Sequence, residues 1–262
     1  MKTPARRIPA LREFGYWLAR YRRTWRGSIV ISIANPLLFI LAMGAGLGKL
    51  VDAHNSAYLH GMPYLTFMAP GLVAAAAMQI GYLEAAGPVL QSARPGGNYR
   101  SAVAAPMRSA DVFFGHLLFI AFRILISATG VVLVVVACGV LRIGPGLLLI
   151  PAALVTGLAF AVPVAAFAVL AARPASIAAL FRFVIMPLYM FSGTFYPTAQ
   201  LPVWLRDIVV ISPLWHGVQL CRSLALGTAS ADGVTVHLSV LIVLVAGGTI
   251  AARHAYIRRL AT

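Results

Sequence analysis

Acidic residues are nearly missing from this sequence. Six occur in 262 residues, Glu13, Asp52, Glu84, Asp111, Asp207 and Asp232, each far from the next. No two form the close carboxylate pair of a hydrolase, and neither HExxH nor GxSxG occurs, so an intramembrane enzyme lacks its usual groups. Proton- or sodium-coupled transport also relies on carboxylates inside spans, and none of the six falls near the centre of an apolar run. Cysteine is equally sparse. Cys138 and Cys221 have no CxxC spacing and no neighbouring histidine, which excludes a zinc site, and both read as small buried hydrophobes. Charged residues make up only 10% of the chain, where a soluble domain carries about a quarter.

What fills the chain is apolar. A hydrophobic share of 61% and a mean hydropathy of +0.89 describe an integral membrane protein. The net charge of +15 does not point to nucleic acid, because the Lys and Arg residues are dealt out between apolar runs instead of gathering on one solvated stretch. Uncharged runs near spanning length cover Ser28–Gly48, Gly61–Leu83, Val112–Leu141 (interrupted by Arg123), Ile143–Ala172, Phe183–Leu205 and Gly233–Ala252. Each approaches or exceeds the ~20 residues a transmembrane helix needs, so six spans are expected. With the N-terminus placed in the cytoplasm, sixteen Lys and Arg residues fall on the inner side and four, Lys49, Arg142, Arg206 and Arg222, on the outer side. That bias puts both termini inside. No cleavable leader is expected, since 27 residues of basic sequence precede the first long apolar stretch.

Residues 1–27 form a separate unit before the six-span body of residues 28–262. Leu11, Phe14, Leu18, Tyr21 and Trp25 recur at spacings of three and four among arginines, which predicts an amphipathic helix at the inner interface. Such a helix serves either as an anchor to anionic lipid or as a lever joining a cytoplasmic partner to the first span. The inner loop at residues 91–111, "QSARPGGNYRSAVAAPMRSAD", has a Pro-Gly-Gly turn, a short run Asn98–Ala105 able to form a helix, and Pro106 as a breaker. It is a solvated basic loop or a helix seated on a soluble subunit; in the second case Arg94, Asn98, Tyr99, Arg100 and Arg108 carry the contact.

Between the fifth and sixth runs, "GTFYPTAQLPVWLRDIVVISPLWHGVQLCR" breaks for two prolines and an Arg-Asp pair before the apolar Ile208–Cys221. Those 14 residues reach roughly 21 Å as a helix against a ~30 Å hydrocarbon core, too short to cross. A pair of short helices dipping part-way in from the outer side fits, over residues 197–227, with Pro202 in the first turn of one, Ser212-Pro213 starting the next and Gly227 stopping it. A loop lying flat on the headgroups is the alternative. Arg123 is a costly charge within a span: it faces a polar cavity, snorkels, or pairs with Glu84 near the inner end of the second span. His116 lies seven residues before it on the same face. "GAGLGKL" (44–50) imitates a phosphate loop but has Met43 where the first Gly belongs and Leu50 where Ser or Thr must stand; Gly44 and Gly48 suit close helix packing instead.

Residue matches over most of the chain resemble the permease subunits of type-2 ATP-binding-cassette exporters. "ANPLLFILAMGAGLG" is similar to that family's first span, "YLTFMAPGLVAAAAM" to its second and "NYRSAVAAPMRSADVFFGH" to its inner coupling segment. "MFSGTFYPTAQLPVWLRDIVVISPLWHGVQLCRSLALG" is similar to the most recognisable part, where a Ser-Gly turn, Phe-x-Pro, Leu-Pro and Pro-Leu-x-His appear in order. Nodulation-factor (lipo-oligosaccharide) export permeases stand nearest, daunorubicin-type drug-export permeases next. The resemblance implies an all-α protein of a bacterial inner membrane without an ATP site or cofactor of its own. ATP and magnesium would sit in a separate ATPase partner, and two permease chains, identical or closely related, would enclose one pathway for an amphipathic lipo-oligosaccharide, glycolipid or drug. Phe39, Met68, Met78, Arg123 and Phe191 are the expected pathway residues; Phe195, Leu201, Trp204 and Trp215 the expected outer gate. The rival readings are a non-transport membrane scaffold or immunity protein, without an ATPase partner, and an intramembrane enzyme.

Overall fold

A computed structural model describes residues 8–42, 46, 48 and 61–260, and every regular element among them is helical. In chain order these are α1 (Pro9–Leu41), α2 (Tyr64–Ala93), α3 (Asn98–Ala104), α4 (Ser109–Ala137), α5 (Ile143–Leu170) and α6 (Pro174–Phe191), whose middle, Phe181–Ile185, is π-helical. A single 3₁₀ turn at Thr198–Gln200 leads to α7 (Val203–Ile211), α8 (Pro213–Leu226) and α9 (Ala231–Leu260). Hydrocarbon offers backbone groups no partner, so long apolar segments pair their own N–H and C=O groups within a helix.

Five of these helices, α2, α4, α5, α6 and α9, are long and apolar enough to cross a membrane, and α7 with α8 qualifies only as a pair bent by 83°. α1 is one continuous helix of 33 residues that takes in both the basic N-terminal run and the start of the first expected span. Met43, Gly44, Lys49 and Asp52 lie outside the described residues. The 30 residues of α2 extend roughly 45 Å, more than the ~30 Å core, so its last turns stand beyond the hydrocarbon.

The fifth span departs from expectation. The uncharged run at 183–205 predicts a helix there, but α6 starts at Pro174 and ends at Phe191, and Gly193 takes a φ of +79°. A left-handed residue stops a helix however apolar the residues after it are. Arg182 therefore lies within α6, and residues 192–202 form the turn into the hairpin. The hairpin itself keeps closely to the sequence pattern: α8 has Ser212 at its cap position, Pro213 at its first and Gly227 (φ +69°) at its end. The Ser212 hydroxyl nevertheless makes no capping bond.

α5 lies at the centre, with α2, α4, α8 and α9 around it, and α1 runs along α4. α6 stands at the edge, held to α2 by Tyr82, whose hydroxyl donates to the Ile177 carbonyl at 2.9 Å while its ring lies 5.2 Å from Phe181. In the most apolar stretch of α2, 78% of the residues are buried, against 11% in α6, so α6 leaves an apolar face uncovered. The first turns of α1, all of α3 and the last turns of α9 meet at one end of the bundle, called here the terminal end. The ends of α1 and α6, the start of α2 and the α7–α8 pair meet at the other, the hairpin end.

Candidate functional site

At the terminal end the Pro-Gly-Gly turn sets where α3 lies. Gly96 has φ +78°, and a Cβ on Gly97 would run into the Gln91 and Ser92 carbonyls, so this pair folds the chain tightly back beneath α2. α3 then presents Asn98 and Tyr99 inward. Asn98 Nδ2 donates to Glu13 Oε1 at 2.6 Å, and Trp17 Nε1 donates to the same oxygen at 2.8 Å. The Trp17 ring stacks on His116 with centroids 3.8 Å apart and planes 2° from parallel. Tyr99 shares a short hydrogen bond with His116 Nδ1, and its hydroxyl lies 3.2 Å from that of Tyr256. Glu13, Trp17, Tyr99, His116 and Tyr256 are all buried. α1 comes this close to α4 because Gly115 faces the Ala10 carbonyl and the Glu13 side chain, where a Cβ would not fit.

One hydrogen-bonded and stacked cluster thus joins α3 to α1, α4 and α9. Burial raises the Glu13 carboxyl above its ordinary value, opposed by the bonds from Trp17 and Asn98. Burial also drives the Tyr99 phenol well above its ordinary value, with Tyr256 adding to the effect, so Tyr99 stays neutral. The cluster is a buried polar joint between α3 and three long helices.

Of the residues expected to carry a cytoplasmic contact, Asn98 and Tyr99 are turned into this joint. Tyr99 is fully buried and so is a strut, not part of a docking surface. Arg94 closes α2, its backbone N–H donating to the Gln91 carbonyl at 3.4 Å. Arg100 is half-buried. Arg108 is exposed at the start of α4, its backbone N–H donating to Asp111 Oδ2 at 3.1 Å. The open face of α3 belongs to Ser101 and Ala104. Along the first five turns of α1, the buried positions are Glu13, Trp17 and Tyr21, while Leu11 and Trp25 of the apolar stripe are exposed. A count of apolar spacing passes over Glu13 and Trp17, although a carboxylate four residues before an indole was a usable signal.

Deeper in the bundle, Arg123 Nε donates to Glu84 Oε1 at 2.8 Å, and its guanidinium lies 4.5 Å from the Tyr21 ring centroid. Of the readings for Arg123, pairing with Glu84 is the one observed. A cavity of about 150 Å³ opens beside the pair, bounded by Trp17, Arg20, Tyr21, Thr24, Pro88 and Phe119 as well as Glu84. The other expected pathway residues do not gather around it. Met68 and Met78 are fully buried in the α2 packing, Phe39 meets Phe195 at 5.2 Å, and Phe191 is 39% exposed on α6.

At the hairpin end, Phe195 also packs edge-on against Tyr189 at 5.1 Å, and its carbonyl accepts from Tyr64 Oη at 3.0 Å. Leu201 is half-buried. The two tryptophans part company: Trp204 is 67% exposed, whereas Trp215 sits edge-on to both His216 (5.0 Å) and His237 (5.3 Å). Those histidines share an Nδ1···Nδ1 hydrogen bond of 2.8 Å. Arg222, which the charge bias treats only as an outer cation, is a clamp. It donates to the Gly193 carbonyl at 2.7 Å, the Phe67 carbonyl at 3.3 Å and Gln219 Oε1 at 3.1 Å. Cys138, expected inside, is exposed, since α4 ends at Ala137 and the chain turns at Gly139 (φ +72°); Cys221 is buried as expected.

The sequence profile of the ABC-2 type transporter family matches residues 15–226, from the second turn of α1 to the end of α8. The chain belongs to the ABC-2 type transporter family. Nodulation protein J of Rhizobium leguminosarum bv. viciae is 28% identical over 87% of this chain and 89% of its own length. Nodulation protein J of Rhizobium meliloti (strain 1021) is 28% identical over 89% and 90%, and that of Neorhizobium galegae 26% over 86% of each. The resemblance to ABC-2 permeases related to nodulation-factor export is borne out. Membership makes this a multi-pass membrane permease and implies an ATPase partner.

Proposed function

We propose that the chain is the membrane subunit of an ATP-driven exporter that moves an amphipathic molecule, a lipo-oligosaccharide, glycolipid or lipophilic drug, outward across a bacterial inner membrane. Both termini and α3 face the cytoplasm in this reading, in keeping with the sixteen-to-four charge bias. The α7–α8 hairpin forms the outer gate. A second permease, identical or closely related, completes the pathway, with the uncovered face of α6 left to it or to lipid. Hydrolysis takes place in the separate ATPase, which holds ATP and magnesium; this chain contributes motion.

The observation that carries the proposal is the attachment of α3. Its inner side is bonded to α1 through Asn98 and Glu13, to α4 through Tyr99 and His116, and to α9 through Tyr99 and Tyr256, while Ser101 and Ala104 remain open. A soluble subunit pressing on that open side would displace three long helices together, because close-packed buried groups shift as a unit and do not yield one at a time. A loop that only connects α2 to α4 has no use for such bonds.

Replacing Ser101 and Ala104 together with Glu changes only the open face. The doubly substituted permease is expected to fold with unchanged thermal stability and to lose most of the co-purifying ATPase and of the export. Full ATPase recovery and export in that variant would return residues 91–111 to a plain loop.

A further inference from the structure

We infer that the hairpin end holds a binding site for a phosphate or sulfate ester, the anionic head of the exported amphiphile. A cavity of about 260 Å³ lies between α8 and α9, its polar wall made by Gln219, Arg222, Ser223, Thr228, Ser230 and His237. Arg222 is the charge at its centre. The three oxygens to which it donates are all neutral, from α2, from the turn after α6 and from its own helix. No carboxylate of the described residues stands among the groups to which Arg222 bonds; Asp232, on the first turn of α9, is exposed. The Phe67 ring covers the guanidinium at 3.9 Å. A guanidinium has five N–H donors, and three bonds leave two for a ligand while holding the fork in one orientation.

The rest of the wall suits the same ligand. Ser230 and Thr228 supply hydroxyls, and the Ser230 oxygen accepts from the Gly233 N–H at 3.1 Å, which leaves its proton free to donate. The Ser223 hydroxyl already donates to the Leu220 carbonyl at 3.0 Å and lines the wall without a free proton. His237 is held by His216, and Trp215 packs against both. A fixed cation ringed by donors, with no acid among them, favours an oxygen-rich anion over a cation or a neutral sugar. Its place on the hairpin that gates the proposed pathway identifies that anion as the head of the substrate. This last step rests on the transport reading, whereas binding itself can be measured without ATP or a partner, so the two fail separately.

The test is calorimetric titration of the full chain in an uncharged maltoside detergent with decyl phosphate, decyl glucoside and inorganic phosphate. Decyl phosphate is expected to bind saturably and at least about tenfold more tightly than either of the others. Arg222→Gln should weaken it at least about tenfold. That variant also loses the clamp on α2 and Gly193, so Ser223→Phe is the companion: it fills the cavity, leaves the Arg222 bonds in place, and should weaken binding as much. Arg206→Gln, an exposed cation on α7, should bind as the native chain does. Equal affinity for decyl glucoside, or unaltered affinity in Ser223→Phe, overturns the site. Inorganic phosphate binding as tightly as decyl phosphate would make it a free-anion site and overturn the head-group assignment.

Discussion

Arg123 is a cation inside the bundle, held by one carboxylate and one aromatic ring. A lone arginine in an apolar run is conspicuous, and the cost of an unpaired charge there demands a partner. Glu84 is 39 positions away, and only the packing of α2 on α4 brings them to 2.8 Å. Removing Glu84 leaves a buried guanidinium alone and removing Arg123 strands a half-buried carboxylate, so Glu84→Gln should cost on the order of 3 kcal/mol and Arg123→Gln less, while the double variant should cost clearly less than their sum. Denaturant unfolding of the four proteins in detergent measures this, and strictly additive losses would mean the pair contributes nothing as a pair. Glu13 gives a prediction of pH dependence. Because burial raises its folded-state value, its contribution favours the folded state most below the ordinary carboxyl range and is lost as pH rises through the raised value. Glu13→Gln keeps an oxygen for Trp17 and Asn98 but carries no charge, so its melting temperature relative to the native chain should rise between about pH 5 and about pH 8. A difference that is flat across that range would mean the carboxyl is not held in the state that burial dictates.

Among the elements, ends marked by proline and glycine were legible, while hydropathy alone placed α5 well, at Ile143–Leu170 against an expected Ile143–Ala172, and the fifth span poorly. Ser212-Pro213 and Gly227 bracket α8 where the structure has it, and Asn98 starts α3 after the Pro-Gly-Gly turn. The fifth span slid by nine residues at its start, from 183 to 174, because an uncharged run says where lipid is tolerated and not where a helix stops. The amphipathic stripe of α1 likewise gave a helix but missed its buried side, since that side is polar and aromatic, Glu13 and Trp17, and satisfied by α3 and α4. The hairpin's two tryptophans are the sharpest test at this scale. Trp215→Ala removes a ring set between His216 and His237 and should cost about 2 kcal/mol, while Trp204→Ala, at a 67% exposed site, should leave the stability of the single chain nearly unchanged. If Trp204 seals the gate against a second permease, its loss should instead appear as leak of a fluorescent amphiphile with normal melting. Equal melting losses in the two variants would contradict the hairpin packing.

On the scale of the whole molecule, the helical architecture and membrane class come from composition, and the family from residue matches along most of the chain. The candidate site could not be read this way, because its parts come from positions 13 to 256 and meet only when α1, α3, α4 and α9 converge. That convergence gives the bundle two dissimilar ends: a locked joint under α3 and a polar, cation-bearing mouth at the hairpin. In the proposed exporter an energy source would act at one end of this arrangement and a cargo would leave at the other. Coupling between the two ends is the central claim, and proteoliposomes containing the permease and its ATPase measure it directly. With ATP supplied outside, only complexes whose α3 end faces outward are fuelled, and a fluorescent phosphate-headed lipid should move into the protected lumen at a rate that depends on ATP. The Ser101→Glu, Ala104→Glu permease should abolish that movement, and Arg206→Gln should keep it. Hydrolysis by the intact complex with no lipid moved, or movement that proceeds equally without ATP, would contradict coupled export.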